Sequence, residues 1–125
     1  MIRILLAEDD ATMRNYLCRA LERVGYAVTS ADRGSEALTL VKAERFDLLL
    51  TDIVMPEMDG IELAQAAALV DPAMRVMFIT GFAAVALKAS AAASGAKVLS
   101  KPFHLRELVG QVGAMFASGA QQERV

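Results

Sequence analysis

Hydrophobic residues follow two alternating patterns along this 125-residue chain. The first is a short, nearly continuous apolar run, which is typical of a strand buried on both faces of a sheet. We predict five such strands, at residues 2–7, 26–30, 46–51, 75–80 and 97–100. The third is expected to be the central strand, and it carries one carboxylate, Asp52, to its end.

The second pattern places apolar residues three or four positions apart, which is the spacing of one helix face. In the first helix, which Gly25 would end, these residues are Met13, Leu17, Ala20, Leu21 and Val24. In a helix at residues 35–44 they are Ala37, Leu38 and Val41. In the last helix they are Leu105, Leu108, Val109, Val112 and Phe116.

Two further helices are predicted from their ends. Asp59, followed by Glu62, is typical of a helix N-cap, and that helix would run to Val70 before Asp71 and Pro72 break it. An alanine-rich segment at residues 83–93 forms the other helix and would stop near Gly95. Residues 118–125 are polar and are expected to fray.

Strands that alternate with helices predict an α/β fold, a (βα)5 doubly wound parallel sheet of five strands covered on both faces. The length of 125 residues suits one domain with a single core. We expect that domain to span residues 1–118, with a flexible carboxyl-terminal tail at residues 119–125.

Charge and cysteine content narrow the class of protein. Thirteen basic and fifteen acidic residues give a net charge of −2 with no basic tract, which argues against nucleic-acid binding. The apolar amino terminus is interrupted by acidic residues from Glu8 onward, so it resembles neither a signal peptide nor a membrane span. Cys18 is the only cysteine and permits no internal disulfide. We therefore expect a cytoplasmic protein without a membrane partner.

Polar residues of complementary types follow four of the predicted strands. Glu8, Asp9 and Asp10 follow the first strand, Asp52 ends the third, Thr80 ends the fourth and Lys101 follows the fifth. In a doubly wound sheet these positions meet at the carboxyl ends of the strands, where such folds bind ligands.

Each of these residues also has an ordinary interpretation. An acidic triplet is commonly a solvated loop, an aspartate before a turn commonly caps it, and a lysine before a proline is commonly just exposed. Taken together, however, the set predicts a phosphoryl-acceptor site. Crowded carboxylates suit Mg²⁺, Asp52 would carry the phosphoryl group, and Thr80 and Lys101 would contact its oxygens. No His or Cys cluster suits zinc, and no glycine-rich nucleotide loop is present.

Four motifs resemble the receiver domain of bacterial two-component response regulators: LLAEDD at residues 5–10, DIVMPEMDG at 52–60, FITG at 78–81 and KPF at 101–103. The resemblance implies a flavodoxin-like fold and Asp52 as the phospho-acceptor. It implies Mg²⁺ held by Asp9, Asp52 and the backbone carbonyl of Val54, with Glu8 acting through water and Asp10 peripheral. It also implies a cis peptide before Pro102, and a histidine kinase or histidine phosphotransfer protein as partner.

Residues 78–87 and 98–108 are most similar to stand-alone receivers of alphaproteobacteria. That resemblance implies an adaptor that delivers substrates to the ClpXP protease until phosphorylation switches it off. One departure is Val98, where receivers usually carry a Tyr or Phe that swings inward during signalling; valine is too short and stiff for that movement. The expected output surface is the alanine-rich fourth helix with the fifth strand and the last helix. Phe82, Val85 and Leu87 either all pack in the core, or Phe82 or Val85 is partly exposed in a partner or dimer patch.

Three functions remain open from the sequence. The first is a phosphorylatable switch that acts through protein binding as a monomer or weak dimer. The second is a relay intermediate that passes its phosphoryl group to a histidine phosphotransfer protein. The third is a phosphatase of the haloacid dehalogenase type, but such enzymes need an aspartate where this chain has Val54, so we expect no turnover enzyme. His104 is expected to be a surface or capping residue rather than a relay histidine.

Overall fold

Five parallel strands form a single sheet in the computed structural model, which describes residues 1–81 and 96–124, with side chains as far as Ala117. The spatial order of the strands is β2-β1-β3-β4-β5. Their bounds are Arg3–Ala7 for β1, Ala27–Ala31 for β2, Leu48–Asp52 for β3, Arg75–Thr80 for β4 and Lys97–Ser100 for β5. The predicted doubly wound parallel sheet is therefore confirmed.

Four helices lie within the described residues: α1 at Ala11–Arg23, α2 at Gly34–Ala43, α3 at Gly60–Val70 and α4 at Leu105–Arg124. Among these residues, no helix has the length and apolar character that crossing a membrane would require. The predicted alanine-rich helix at residues 83–93, with Phe82, Val85 and Leu87, lies outside the described residues. Helix α4 continues beyond residue 118, and the domain boundary expected there stays a prediction.

The sheet is covered on both faces, and successive residues of β3 alternate between two of its apolar clusters. Leu48 and Leu50 of β3 pack with residues of α1 and α4, whereas Leu49 packs with residues of α2 and α3. All five residues of β3 are buried. This double burial explains why the strands appear in the sequence as continuous apolar runs rather than as alternating ones.

Several predicted boundaries, among them those of β1, β2, β3 and α2, differ from the observed ones by one or two residues, and two differences concern residues singled out in the sequence. Val24 was expected on the inward face of the first helix, but α1 ends at Arg23 and the Val24 side chain is half exposed. Gly25 follows with a φ of 103°, a left-handed conformation that ends the helix, so its predicted role is confirmed. Phe46 was expected to begin the central strand; it is buried, but the strand begins at Leu48.

Candidate functional site

The strand order brings the predicted polar residues to one edge of the sheet. Strand β3 lies between β1 and β4, and β5 pairs with β4, so the residues that end or follow these strands are neighbours. Carboxylate oxygens of Glu8, Asp9 and Asp52 lie within 4.8 Å of one another. The acidic loop after β1 and the end of β3 thus form one cluster, as the sequence predicted.

Lys101 joins this cluster from the loop after β5. Its Nζ donates to Oδ2 of Asp52 at 3.0 Å and to Oε1 of Glu8 at 3.3 Å. Its backbone N–H donates to the carbonyl oxygen of Thr80 at 2.7 Å, and the following peptide bond to Pro102 is cis, as the resemblance implied. Burial alone would lower the pKa of Lys101, but the hydrogen bond and charge of Asp52, assisted by Glu8, raise it overall. Lys101 is therefore held as a cation between two carboxylates.

Glu8 is the most deeply buried charged residue of the cluster, with 1% of its surface exposed. Burial, together with the nearby charge of Asp52, raises the pKa of Glu8 to about 7, although the N–H of Asp10 and the charge of Lys101 oppose the rise. Two buried carboxylates thus share one ammonium group. Such an excess of negative charge is costly in a poorly solvated site and favours the binding of a cation.

Asp52 is 7% exposed, and its two carboxylate oxygens have different partners. Oδ2 accepts from Lys101, whereas Oδ1 accepts from the backbone N–H of Val54 at 3.3 Å. The loop after β3 folds back here, because the N–H of Gly60 donates to the carbonyl oxygen of Ile53 at 2.8 Å. A Cβ atom at position 60 would overlap the carbonyl oxygen of Asp52, so only glycine allows this close approach.

The three residues of the acidic triplet have different positions. Glu8 is buried, Asp9 is exposed at the mouth of the cluster, and Asp10 is the N-cap of α1. Oδ1 of Asp10 accepts the backbone N–H of Met13 at 3.1 Å, so this carboxylate lies outside the three-residue group. Asp10 was expected at the periphery of the site, and its capping role was not predicted, although an aspartate just before an apolar helical pattern could have indicated it.

Thr80 and Val54 complete the set of predicted residues. Thr80 is fully buried at the end of β4, beside the strand end that carries Asp52. Val54 lies two residues beyond Asp52, and half of its side-chain surface is exposed. Their predicted roles, contact with a phosphoryl oxygen for Thr80 and a carbonyl ligand from Val54, stay predictions.

The chemistry of this donor set fits a hard divalent cation. Its three carboxylates offer oxygen ligands within reach of one ion, and no nitrogen or sulfur ligand belongs to the group. Mg²⁺ prefers such oxygen ligands and keeps several waters, which the exposed position of Asp9 permits. The residues at this edge of the sheet are therefore suited to hold Mg²⁺.

Four other residues singled out in the sequence lie outside the acidic cluster, in packing or surface positions. Val98 is half buried and lies opposite Phe78 of β4, where it packs against an apolar cluster. Met55 and Met58 pack in the cluster beneath α2 and α3, as expected for loop packing. His104 is exposed and directly precedes α4, and its carbonyl oxygen accepts the N–H of Glu107 in the first turn, so it is a surface residue at the start of the last helix, one of the two positions predicted for it.

Arg14 is a residue of this region that the sequence analysis missed. Its Nη1 donates to the backbone carbonyl oxygen of Glu8 at 2.9 Å, so it contacts the acidic loop from the first turns of α1. The contact joins a side chain to a backbone atom, and no pattern of residue types in the sequence indicates such a bond.

Comparison with known proteins places this geometry in a family. The family model described as "Response regulator receiver domain" matches residues 4–113. The chain is 61% identical over 116 residues to the response regulator receiver protein CpdR of Brucella abortus, covering 92% of this chain and 97% of that protein. It is 33% identical to the response regulator MprA of Mycolicibacterium vanbaalenii, but it spans about half the length of that protein, 50%.

A solved structure agrees with both sequence comparisons. The receiver domain protein (CheY-like) from Methanospirillum hungatei superposes with a TM-score of 0.88 at 30% identity, and the match covers 98% of each chain. The predicted resemblance to receivers, and within them to the stand-alone type represented by CpdR, is thereby confirmed. From its fold, its four motifs and these matches, the chain belongs to the response regulator receiver family.

Proposed function

We propose that this protein is a signalling switch that accepts a phosphoryl group on Asp52. The observation that carries the proposal is the environment of the Asp52 carboxylate. It lies at the carboxyl edge of the sheet, accepts a hydrogen bond from Lys101 at 3.0 Å, and has two further carboxylates within 4.8 Å. A carboxylate used only for stability would be better served by one partner and fewer negative neighbours.

The side chains of the site have separate roles in the proposed transfer. An oxygen of Asp52 attacks the phosphorus atom in line, while the bond from phosphorus to the imidazole nitrogen of a phosphohistidine donor breaks. The product is an acyl phosphate on Asp52. The bonding pair leaves with the imidazole nitrogen, and the donor ring ends neutral because its other nitrogen already carries a proton or because it takes one from solvent. Lys101, which already donates to Oδ2 of Asp52, then pairs with one phosphoryl oxygen. The hydroxyl of Thr80 donates a hydrogen bond to another phosphoryl oxygen.

Four residues would hold Mg²⁺ in this site: Asp9 and Asp52 through carboxylates, Val54 through its backbone carbonyl and Glu8 through water. When bound, the ion neutralises charge on the phosphoryl oxygens during transfer. The chain's own contribution is to keep these oxygens together at a buried edge, where Lys101 limits the repulsion between Glu8 and Asp52.

The proposed output is binding to other proteins, in the manner of a CpdR-type adaptor. Its support is the 61% identity to a protein named CpdR, nearly all of whose length this chain covers. On this proposal the partners are a histidine kinase or histidine phosphotransfer protein on the input side, and ClpXP with its substrates on the output side. The protein would act in the cytoplasm as a monomer or weak dimer, with residues 1–118 as the receiver and 119–125 as a flexible tail.

The acceptor role is tested by incubating the purified chain with phosphoramidate and Mg²⁺ and measuring its intact mass. We expect a gain of one phosphoryl group in the wild type and in Asp71→Asn, a control aspartate at the far end of α3. We expect no gain in Asp52→Asn. Unchanged labelling of Asp52→Asn would overturn the proposal.

The output role is tested by pull-down on immobilised ClpX. The unphosphorylated wild type and Asp52→Asn are expected to be retained, and the phosphorylated wild type is expected to be released. Equal retention of both forms would contradict an adaptor switched off by phosphorylation. If neither form is retained and phosphorylated protein instead passes its label to a histidine phosphotransfer protein, the relay function replaces the adaptor.

A further inference from the structure

Arg14 contacts the acidic loop in two ways. Its side-chain Nη1 donates to the carbonyl oxygen of Glu8 at 2.9 Å, and its backbone N–H donates to the carbonyl oxygen of Asp10 at 2.8 Å. The first bond spans the turn that carries Asp9, and the second is the opening hydrogen bond of α1. One residue therefore fixes the backbone on both sides of Asp9.

The other contacts of this loop come from its neighbours on the sheet. The N–H of Glu8 donates to the carbonyl oxygen of Ala31 at 3.1 Å, and the N–H of Asp10 donates to Oε2 of Glu8 at 3.2 Å. These two bonds orient one edge of the loop. The carbonyl oxygen of Glu8 takes no part in these two bonds, and among the described residues Arg14 is the side chain that donates to it.

The guanidinium of Arg14 forms no ion pair with any described residue. Within the part of the chain that the structure describes, no carboxylate lies within 4.0 Å of it. Its charge nevertheless acts on a neighbouring carboxylate. The pKa of Asp32, in the loop after β2, is lowered mainly by Arg33 and to a smaller extent by Arg14. The bond to Glu8 is thus the main specific contact of a half-buried cation beside the acidic cluster.

We propose that Arg14 is a positioning residue for the metal ligands of this site, acting through the backbone carbonyl of Glu8. The inference rests on the proposed function, because it concerns the same Mg²⁺ site. By fixing that carbonyl, Arg14 sets the backbone conformation from which the carboxylates of Glu8 and Asp9 project. Groups that hold metal ligands without touching the ion commonly change metal affinity by about 10–100-fold when removed.

The test compares Arg14→Met and Arg14→Gln with the matched control Arg19→Met. Arg19 is an exposed arginine of the same helix, so its replacement changes the net charge equally without touching the loop. Calorimetric titration with Mg²⁺ alone should give an affinity about tenfold weaker for both Arg14 variants and unchanged for the control. Arg14→Lys should recover most of the affinity, because its ammonium group can donate to the carbonyl of Glu8 with nearly the reach of arginine, whereas the amide nitrogen of glutamine lies two bonds closer to the backbone than Nη1.

A second measurement needs no metal. Amide hydrogen exchange in the metal-free protein should be faster at Glu8 and Asp10 in Arg14→Met than in Arg19→Met, because both amides belong to the loop that Arg14 holds. This readout separates a local positioning role from a general loss of stability, which would raise exchange throughout α1 and the sheet.

Two results would overturn the inference: Mg²⁺ affinity in the Arg14 variants equal to that of Arg19→Met, or a weaker affinity accompanied by a lower unfolding midpoint and uniformly faster exchange, which would indicate general destabilisation. Its failure is distinguishable from failure of the proposed function. If the wild type is labelled on Asp52 while the Arg14 variants bind Mg²⁺ normally, only the positioning role is lost. If the wild type itself binds no Mg²⁺ and takes no label, the proposed function falls with it.

Discussion

The central strand carries an aspartate at each end, and the two ends of the sheet use the same residue types differently. Asp47, just before β3, accepts the backbone N–H of Arg3 at 2.8 Å, and the side chain of Arg3 pairs with Glu44 at 2.5 Å. The side chains of Arg3 and Glu44 are 40% and 41% exposed, respectively. At this end of the sheet each charged side chain has a partner and contact with water, so the charges need no bound cation.

Asp52, at the other end of the same strand, lies in the opposite situation. It is 7% exposed, and it shares the single ammonium group of Lys101 with Glu8, which is 1% exposed. The difference is a matter of burial and charge balance rather than of residue type. An excess of buried carboxylates is costly to the fold; on the proposed function it is retained because it would bind a cation and activate Asp52.

The largest effect that this comparison predicts is a pH dependence of stability from Glu8. The folded state raises the pKa of Glu8 from 4.5 to about 7, chiefly through burial, so the folded protein binds this proton more tightly than the unfolded chain does. The contribution of Glu8 to the free energy of unfolding is fully present below about pH 4.5 and is lost as the pH rises through about 7. The loss is about 3 kcal/mol in metal-free buffer.

Urea unfolding of the wild type and of Glu8→Gln at several pH values measures this loss. Glutamine cannot ionise, so we expect the variant to show a flatter profile between about pH 5 and about pH 8. Glu44→Gln, in the exposed pair at the other end of the sheet, should keep the wild-type slope. If the free energy of unfolding of the wild type rises over this pH range, ionisation of Glu8 does not destabilise the folded protein, and the prediction is contradicted.

The next effect is the response of stability to Mg²⁺. A ligand that binds only the folded state stabilises it by about 2.7 kcal/mol at one hundred times its dissociation constant. We expect this gain in the wild type and in Asp47→Asn, and its loss in Asp52→Asn. Thermal melts with and without Mg²⁺ provide the measurement, and an equal response of the two aspartate variants would remove the distinction between the two strand ends.

A third prediction concerns the close approach beside Asp52. In Gly60→Ala the new Cβ would overlap the Asp52 carbonyl oxygen, a backbone atom, so we expect a loss of about 2 kcal/mol in unfolding free energy. The control is Gly110→Ala in α4, where nothing lies within 4 Å of an added Cβ. There, alanine should stabilise the helix by about 0.5–1 kcal/mol. Equal effects of the two changes would mean that the loop after β3 is not tightly held.

The smallest effect is expected from the exposed pair. Arg3→Met removes the ion pair with Glu44 and a contact over the ring of Phe46. Exposed ion pairs contribute about 0–1 kcal/mol, and the loss should shrink further at high salt. A loss of several kcal/mol, measured by urea unfolding, would contradict the view that this end of the sheet is only lightly coupled to stability.

The sequence predicted most of the fold because its strands are buried on both faces. Strand β4 and strand β5 have the predicted bounds, since their apolar runs end at turn residues or charges. The errors lie at boundaries, as at Val24, where the helical spacing of apolar residues continues past the last hydrogen-bonded turn. Hydrophobic spacing records which side chains could face a core, but not where the backbone stops being helical.

The candidate site was predictable to the extent that strand ends determine it. Glu8, Asp52 and Lys101 meet because parallel strands place their carboxyl ends at one edge. The hydrogen bond of Arg14 to a backbone carbonyl and the capping role of Asp10 were not predicted. The bond of Arg14 depends on the path of a loop in three dimensions, which residue type and spacing do not encode, whereas the position of Asp10 just before an apolar helical pattern could have indicated its cap.

The most direct test of the central claim locates the phosphoryl group itself. After incubation with phosphoramidate and Mg²⁺, reduction with borohydride converts an aspartyl phosphate to homoserine, which peptide mass spectrometry assigns to a residue. We predict homoserine at position 52 alone, and only when Mg²⁺ is present. Homoserine at Asp47 or another exposed aspartate, or equal conversion of Asp52 without Mg²⁺, would contradict the account.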